Sequence, residues 1–191
     1  MRVRVELHGL WVAPGYPEMH IRRSKALRGP GSLSGCSPFR GRPLPTPTAV
    51  DPVVYALACA ARCMTGEDWI ATCDSYLNLR GIDVEDLRAD IAPHGGAGVN
   101  ALLDKTDRRS QSGTESIARV RLRALGFHVI VQPAVDYRVY RGHADLRIGR
   151  LLIECDSERF HSGQKDRVRD YQRDRAPWLP GGRPSASRTP R

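Results

Sequence analysis

The chain reads as an α/β protein of the α+β kind, a small helical region followed by a sheet with helices packed on it. Two observations predict this. From residue 51 to residue 91 apolar side chains recur at helical spacing: Val54, Leu57, Ala58 and Ala61, then Trp69, Ile70, Cys73 and Leu77, then Leu87 and Ile91. Between Ala144 and Cys155 the pattern changes. There the apolar runs Ala144–Ile148 and Leu151–Cys155 flank the dipeptide Gly149-Arg150, as in a tight β-hairpin.

The 191 residues suffice for one full domain or one and a half small ones, and an apolar content of 40% permits a real core. A net charge of +9, from 30 basic and 21 acidic residues, favours an anionic partner such as nucleic acid. Lysine occurs only at Lys25, Lys105 and Lys165, so the excess is arginine, a usage that a G+C-rich genome also produces. The five cysteines (Cys36, Cys59, Cys63, Cys73, Cys155) include no Cys-x-x-Cys pair, which argues against a disulfide framework or a zinc finger. Cys59 and Cys63, four apart, suit core packing on one helix face. The longest apolar stretch, Val53–Ala61, is too short to span a bilayer, and the amino terminus has no signal-peptide apolar segment. A cytoplasmic protein with no membrane partner is expected.

Residues 1–48 are weakly patterned and are expected to be poorly structured and linker-rich. Arg2–Val5 and Leu10–Val12 suit a short strand pair, and the Gly, Pro and Ser of Gly29–Pro47 read as loop. A helical region, 49–108, follows. Asp51-Pro52 opens a helix over about 51–63, a second lies near 66–79 and stops at Gly81, and Asp83 caps a third, Val84–Ile91. Helices around Gly81 fit either a helix-turn-helix or a plain helical hairpin. The acidic third helix, which would meet DNA poorly, favours the hairpin. His94–Gly98 reads as a flexible joint rather than a phosphate loop, since no Gly-Lys-Ser/Thr follows. Val99–Asp104 adds a short helix, and Asp107–Ser110 marks a polar border. A second unit, 109–175, then runs helix (112–125), Gly126 stop, strand (127–132), a connecting segment, the hairpin, and a final helix from about 162. Residues 176–191, with Pro177, Pro180, Pro184 and Pro190 and no acidic residue, are expected to form a disordered basic tail.

The chemistry concentrates in the hairpin. Gly149 suits the positive φ of a type II′ turn. A two-residue loop sets Ile148 opposite Leu151 and Arg147 opposite Leu152, which brings Asp145 opposite Glu154. Strand alternation puts Asp156 on the side of Glu154, and Leu151, Ile153 and Cys155 on the other. Three carboxylates on one sheet face, about 5 Å apart across strands, repel unless a cation or a shared proton offsets them. Mg²⁺ takes oxygen ligands of this kind. The alternative is plain: Asp145 opens a strand, Glu154 faces solvent, and Asp156 begins a turn with Ser157. Against it, Leu151-Leu152-Ile153 reads as a central buried strand, at whose end carboxylates are costly.

These residues also carry a family resemblance. Gly142-x-Ala144-Asp145, an apolar strand ending Glu154-x-Asp156, then Phe160-His161 and a helix with Arg-Asp steps resemble the proteins related to very-short-patch-repair endonucleases. Those belong to the wider restriction-endonuclease-like, PD-(D/E)xK, fold. The similarity is clearest over Ser112–Arg175. Upstream, Leu44–Ile91 resembles the connecting region of actinobacterial proteins that join an antitoxin-like amino-terminal part to such a domain. The resemblance implies a mixed sheet with a helix on each side, and Mg²⁺- or Mn²⁺-dependent hydrolysis of DNA phosphodiesters, as in DNA repair. It implies Asp145, Glu154, Asp156 and His161 as catalytic residues, and Glu115, Asp145 and Glu154 as metal ligands. Arg169 and Arg173 would hold DNA phosphates.

Several of these positions have a second reading. Glu115 is the helix carboxylate of the acidic site by resemblance, and the last residue of a Ser112-x-x-Glu115 capping box by local pattern. His161 is a general base or leaving-group acid, or a surface histidine. Arg169, Asp170, Arg173 and Asp174 ordinarily make an ion-paired, solvated helix face. Asp156 stands where many members of the broader fold carry lysine, and aspartate offers only metal binding or proton acceptance. Cys155 and Ser157 depart from the Glu-Val-Asp-Gly of near relatives. Those relatives continue the last helix into a further strand, so the domain is expected to be truncated at its carboxyl end, with an exposed sheet edge. The expected function is a DNA endonuclease. The alternatives are a non-catalytic nucleic-acid-binding or antitoxin-like regulatory protein, and a degraded nuclease gene product. DNA is the expected partner, with a homodimer of the chain as a further candidate.

Overall fold

A computed structural model describes residues 2–3, 5–16, 20–22, 35–36, 50–95, 97–137 and 140–155. The chain forms two compact units, Met1–Arg121 and Leu122–Arg191. The border falls inside a helix rather than near residue 108, because the first two-thirds of that helix is built into the helical core. The α+β class holds: helices make most of the first unit, and small sheets make the described part of the second.

In the first unit, β1 (Arg2–Val3) pairs antiparallel with β2 (His20–Arg22), which pairs parallel with β3 (Gly35–Cys36). The expected strand over Leu10–Val12 does not form. A 3-10 helix, Val5–His8, precedes a reversal at Gly9, and Val5, Leu10 and Ala13 are buried in or beside the helical core. Burial of these apolar side chains outweighs the local strand preference. Part of the stretch expected to be poorly structured is therefore core.

Helix α1 (Val53–Ala60) is shorter than the 51–63 its pattern suggests. Its last turn tightens, the Arg62 and Cys63 amides bonding to the carbonyls of Cys59 and Ala60, three residues back. Helix α2 (Gly66–Arg80) starts at Thr65, whose hydroxyl accepts the Asp68 N–H, and ends at Gly81. Helix α3 (Val84–Ile91) opens with a reciprocal capping box between Asp83 and Asp86. Helix α4 (Ala97–Leu103) begins two residues earlier than expected, and α5 (Gly113–Ala124) follows. Leu57, Trp69, Ile70, Cys73, Leu77, Leu87, Ile91 and Leu103 form the core, and Trp69 Nε1 donates to the Leu57 carbonyl at 2.9 Å. Cys59 is buried and Cys63 half-buried in the same cluster, as core residues. Glu85, Asp86 and Asp90 give α3 an exposed acidic side. No helix among the described residues is long and apolar enough to cross a membrane.

One polar network crosses this core. Arg119 of α5, fully buried, pairs with Asp74 of α2 at 2.6 Å and donates to the Lys105 carbonyl and the Ser110 hydroxyl. Asp74 also accepts the Asp107 N–H at 2.7 Å. Burial pushes the Asp74 carboxyl from 3.8 up to about 6, and Arg119, the Ser116 hydroxyl and the Asp107 amide pull the other way.

In the second unit, β4 (Val129–Val131) pairs with β7 (Leu146–Ile148), and β7 with β8 (Leu151–Ile153). A separate pair, β5 (Ala134–Tyr137) and β6 (Tyr140–His143), occupies what sequence reading treats as a connecting segment. The two ladders share one register. Val131↔Leu146 and Ala134↔His143 are joined through Gln132–Asp145 and Pro133–Ala144, bonded at 2.9 and 3.1 Å. Together β4–β5 and β6–β7 make a single antiparallel ribbon, bent at Gln132-Pro133. Every strand pair described in this unit is antiparallel. The expectation that Leu151–Ile153 is central and buried is corrected: among the described residues β8 is an edge strand, and Leu151 is 61% exposed. The central strand is β7, whose Leu146 is fully buried. An apolar run says that a strand packs somewhere but does not rank it within a sheet. The final helix from about 162 and the tail 176–191 lie outside the described residues.

Two outcomes follow from this packing. A Cβ on Gly113 would fall 2.0 Å from the Trp11 indole, so Gly113→Ala should cost about 1–3 kcal/mol in chemical denaturation, with a shift in tryptophan emission. Arg119→Met should cost about 3–5 kcal/mol by leaving the Asp74 carboxylate buried without its cation, and Asp74→Leu added to it should recover part of the loss. Asp74 holds its proton to higher pH folded than unfolded, so its contribution is full below about pH 3.8 and is lost as pH rises through about 6. Relative to Asp74→Asn, wild-type stability should therefore fall as pH rises from 4 to 7, measured by urea titration.

Candidate functional site

The site begins with the β7–β8 turn. Gly149 has φ 54 while Arg150 has no positive φ, the combination of a type II′ turn. The observed pairs Ile148↔Leu151, Arg147↔Leu152 and Leu146↔Ile153 are the register expected from sequence. One step past its last pair the same register would set Asp145 across from Glu154, though β8 itself ends at Ile153. On its other side Asp145 meets Gln132, whose N–H donates to the Asp145 carbonyl. Asp145 thus sits beside Gln132 at the bend of the ribbon, just past the paired part of the hairpin.

The Asp145 side chain is half-buried and held in one orientation. Its Oδ2 accepts the Cys155 N–H at 2.7 Å, and its Oδ1 accepts from Gln132 Nε2 at 3.4 Å. A carboxylate has about four acceptor sites, so lone pairs remain for a further partner. Glu154 is exposed, and Cys155 is half-buried. Gln132 stands out by its backbone: φ 50, in a residue directly before proline. That conformation costs on the order of 1–3 kcal/mol and is stabilised here by ladder bonds on either side of the bend.

Glu115 belongs to the first unit. It is buried, its N–H donates to Ser112 Oγ at 3.2 Å, and its Oε2 accepts the Gln111 N–H at 3.0 Å. This is the capping arrangement, with the return bond displaced by one residue from the usual box. Asp156, His161, Arg169 and Arg173 lie outside the described residues. Of the seven expected site residues, Asp145, Glu154 and Glu115 are described: Asp145 bonds to the Cys155 amide, next in sequence to Glu154, and Glu115 caps its helix in the first unit. Among the described residues no three His, Cys, Asp or Glu gather in a manner suited to a metal ion.

Sequence reading missed two residues of this face. Gln132 carried one signal, its place before Pro133 at the end of an apolar strand. Arg147 carried another, a charged residue between Leu146 and Ile148 at the same strand parity as Asp145.

Asp145→Ala leaves the Cys155 amide without its acceptor and should cost about 1–3 kcal/mol in denaturation, with Asp145→Asn, which keeps an acceptor oxygen, milder. Compared with known proteins, the chain matches no family model, no curated protein and no solved structure.

Proposed function

We propose that the second unit is a divalent-metal-dependent endonuclease domain of the restriction-endonuclease-like type, acting on DNA phosphodiesters. One observation carries the reading: the Asp145 carboxylate is oriented by the Cys155 amide, next in sequence to Glu154, and the β7–β8 register, carried one step past its last pair Leu146↔Ile153, would set Glu154 opposite Asp145. Two carboxylates in that relation repel, and a cation relieves the repulsion. Their oxygens are the hard donors that Mg²⁺ or Mn²⁺ takes. Asp145 and Glu154 would hold the ion, with Asp156 as the next carboxylate in the sequence. When bound, such an ion polarises a phosphate and lowers the pKa of water. The protein's own share is orientation. The Cys155 and Gln132 contacts keep the Asp145 oxygens fixed, and the bend at Gln132 leaves Asp145 at the end of the β4–β7–β8 sheet.

A second reading has its own support. The Asp145 carboxylate already serves the Cys155 amide and that of Glu115 serves the Gln111 amide, so both have structural work without a metal. This favours a non-catalytic nucleic-acid-binding or regulatory protein.

The full chain with Mg²⁺ or Mn²⁺ should nick or cut plasmid DNA, and chelation should stop it. Glu154→Gln should lose cleavage while retaining DNA binding. Millimolar Mg²⁺ or Mn²⁺ should raise the unfolding temperature of the wild type but not of Asp145→Asn. DNA bound tightly but uncut with either ion, and no metal-dependent stabilisation, would replace the enzyme by the binding protein.

A further inference from the structure

Arg147 occupies the centre of β7, on the face that carries Asp145. Its cross-strand neighbours are apolar, Ile130 on β4 and Leu152 on β8. Among the described residues its Nε is a buried side-chain polar atom with no hydrogen-bond partner. Asp145, two residues away on the same face, is turned to Cys155 and Gln132. Burying a guanidinium nitrogen without a partner is costly, and the free protein gains nothing visible from it. Such a group makes sense when its partner arrives with the ligand. The guanidinium is a permanent cation with a planar fork of donors that matches two oxygens of a phosphate.

We propose that Arg147 is an anion-binding residue, which takes a phosphate oxyanion on the sheet face beside Asp145. That the phosphate belongs to DNA rests on the endonuclease reading above; that Arg147 binds an oxyanion does not. The apolar flanks of Ile130 and Leu152 keep water from the Nε side of the group, which strengthens its attraction for a charged oxygen. The carboxylates would repel the same phosphate if no cation were present, so metal and Arg147 would act together on it.

The test uses the full chain, with Arg147→Met removing the charge at similar length and Arg147→Lys keeping the charge without the fork. Inorganic phosphate should raise the unfolding temperature of the wild type, less that of Arg147→Lys, and not that of Arg147→Met. Without phosphate, Arg147→Met should unfold at the wild-type temperature or above it, since it deletes a buried Nε that has no hydrogen-bond partner. In EDTA, Arg147→Met should bind a short DNA duplex roughly tenfold more weakly, with the salt slope reduced by about one. Equal phosphate stabilisation of wild type and Arg147→Met would overturn the proposal. So would an Arg147→Met that unfolds earlier yet binds phosphate and DNA as before, the mark of a purely structural residue. A phosphate effect that depends on Arg147, in a protein that leaves DNA uncut with Mg²⁺ and Mn²⁺, would keep the anion site and remove the endonuclease. Cleavage that depends on Glu154, with phosphate and DNA binding indifferent to Arg147, would do the reverse.

Discussion

The buried pair of Asp74 and Arg119 is the constraint on which the first unit depends. Arg119 has no exposure to water, so each of its three nitrogens needs a protein acceptor, and the Asp74 carboxylate, the Lys105 carbonyl and the Ser110 hydroxyl supply one apiece. Those acceptors come from α2, from the end of α4 and from the link into α5. The loop of residues 104–112 is therefore set by the charge it must neutralise. Asp107 contributes its amide to the same carboxylate and its own carboxylate to Arg109, whose guanidinium holds Asp107 below the usual carboxylate range. A pair of this kind adds little net stability over an apolar substitute, but it punishes any arrangement that leaves one charge alone. It specifies how α5 seats against α2.

The second unit depends on a different device. Its ribbon keeps one register over nine residues on each strand, from Val129 to Tyr137 and from Tyr140 to Ile148, yet it bends where Gln132 adopts a positive φ before Pro133. Proline has no amide to give to the ladder, and the strained Gln132 turns its own amide onto the Asp145 carbonyl. The bend brings Gln132 and Asp145 together, on the face where the Arg147 Nε is buried without a hydrogen-bond partner. A backbone conformation of this kind costs free energy that the ladder on either side of it must offset.

The sequence alone determined the local features. The helices at 53–60, 66–80, 84–91 and 113–124 follow from apolar spacing and from caps at Thr65, Asp83 and Ser112, which act within a few residues of themselves. The hairpin register, as far as Leu146↔Ile153, also follows locally, because two residues with Gly149 first leave a single pairing. Tertiary structure decided the rest. Leu10 goes to the helical core and not to a strand, since burial is a property of the whole unit. Leu151 lies on an edge, since an apolar run does not say how many neighbours its strand has. The β5–β6 pair escaped notice because Tyr137 to Tyr140 contains no glycine or asparagine to announce a turn, and register alone extends the ladder there. Glu115 read equally well as a cap or a ligand, and the contact it makes, to the Gln111 amide, is the cap's. The buried, unpartnered Nε of Arg147 is visible only in the folded sheet, where its neighbours on both adjoining strands, Ile130 and Leu152, are apolar.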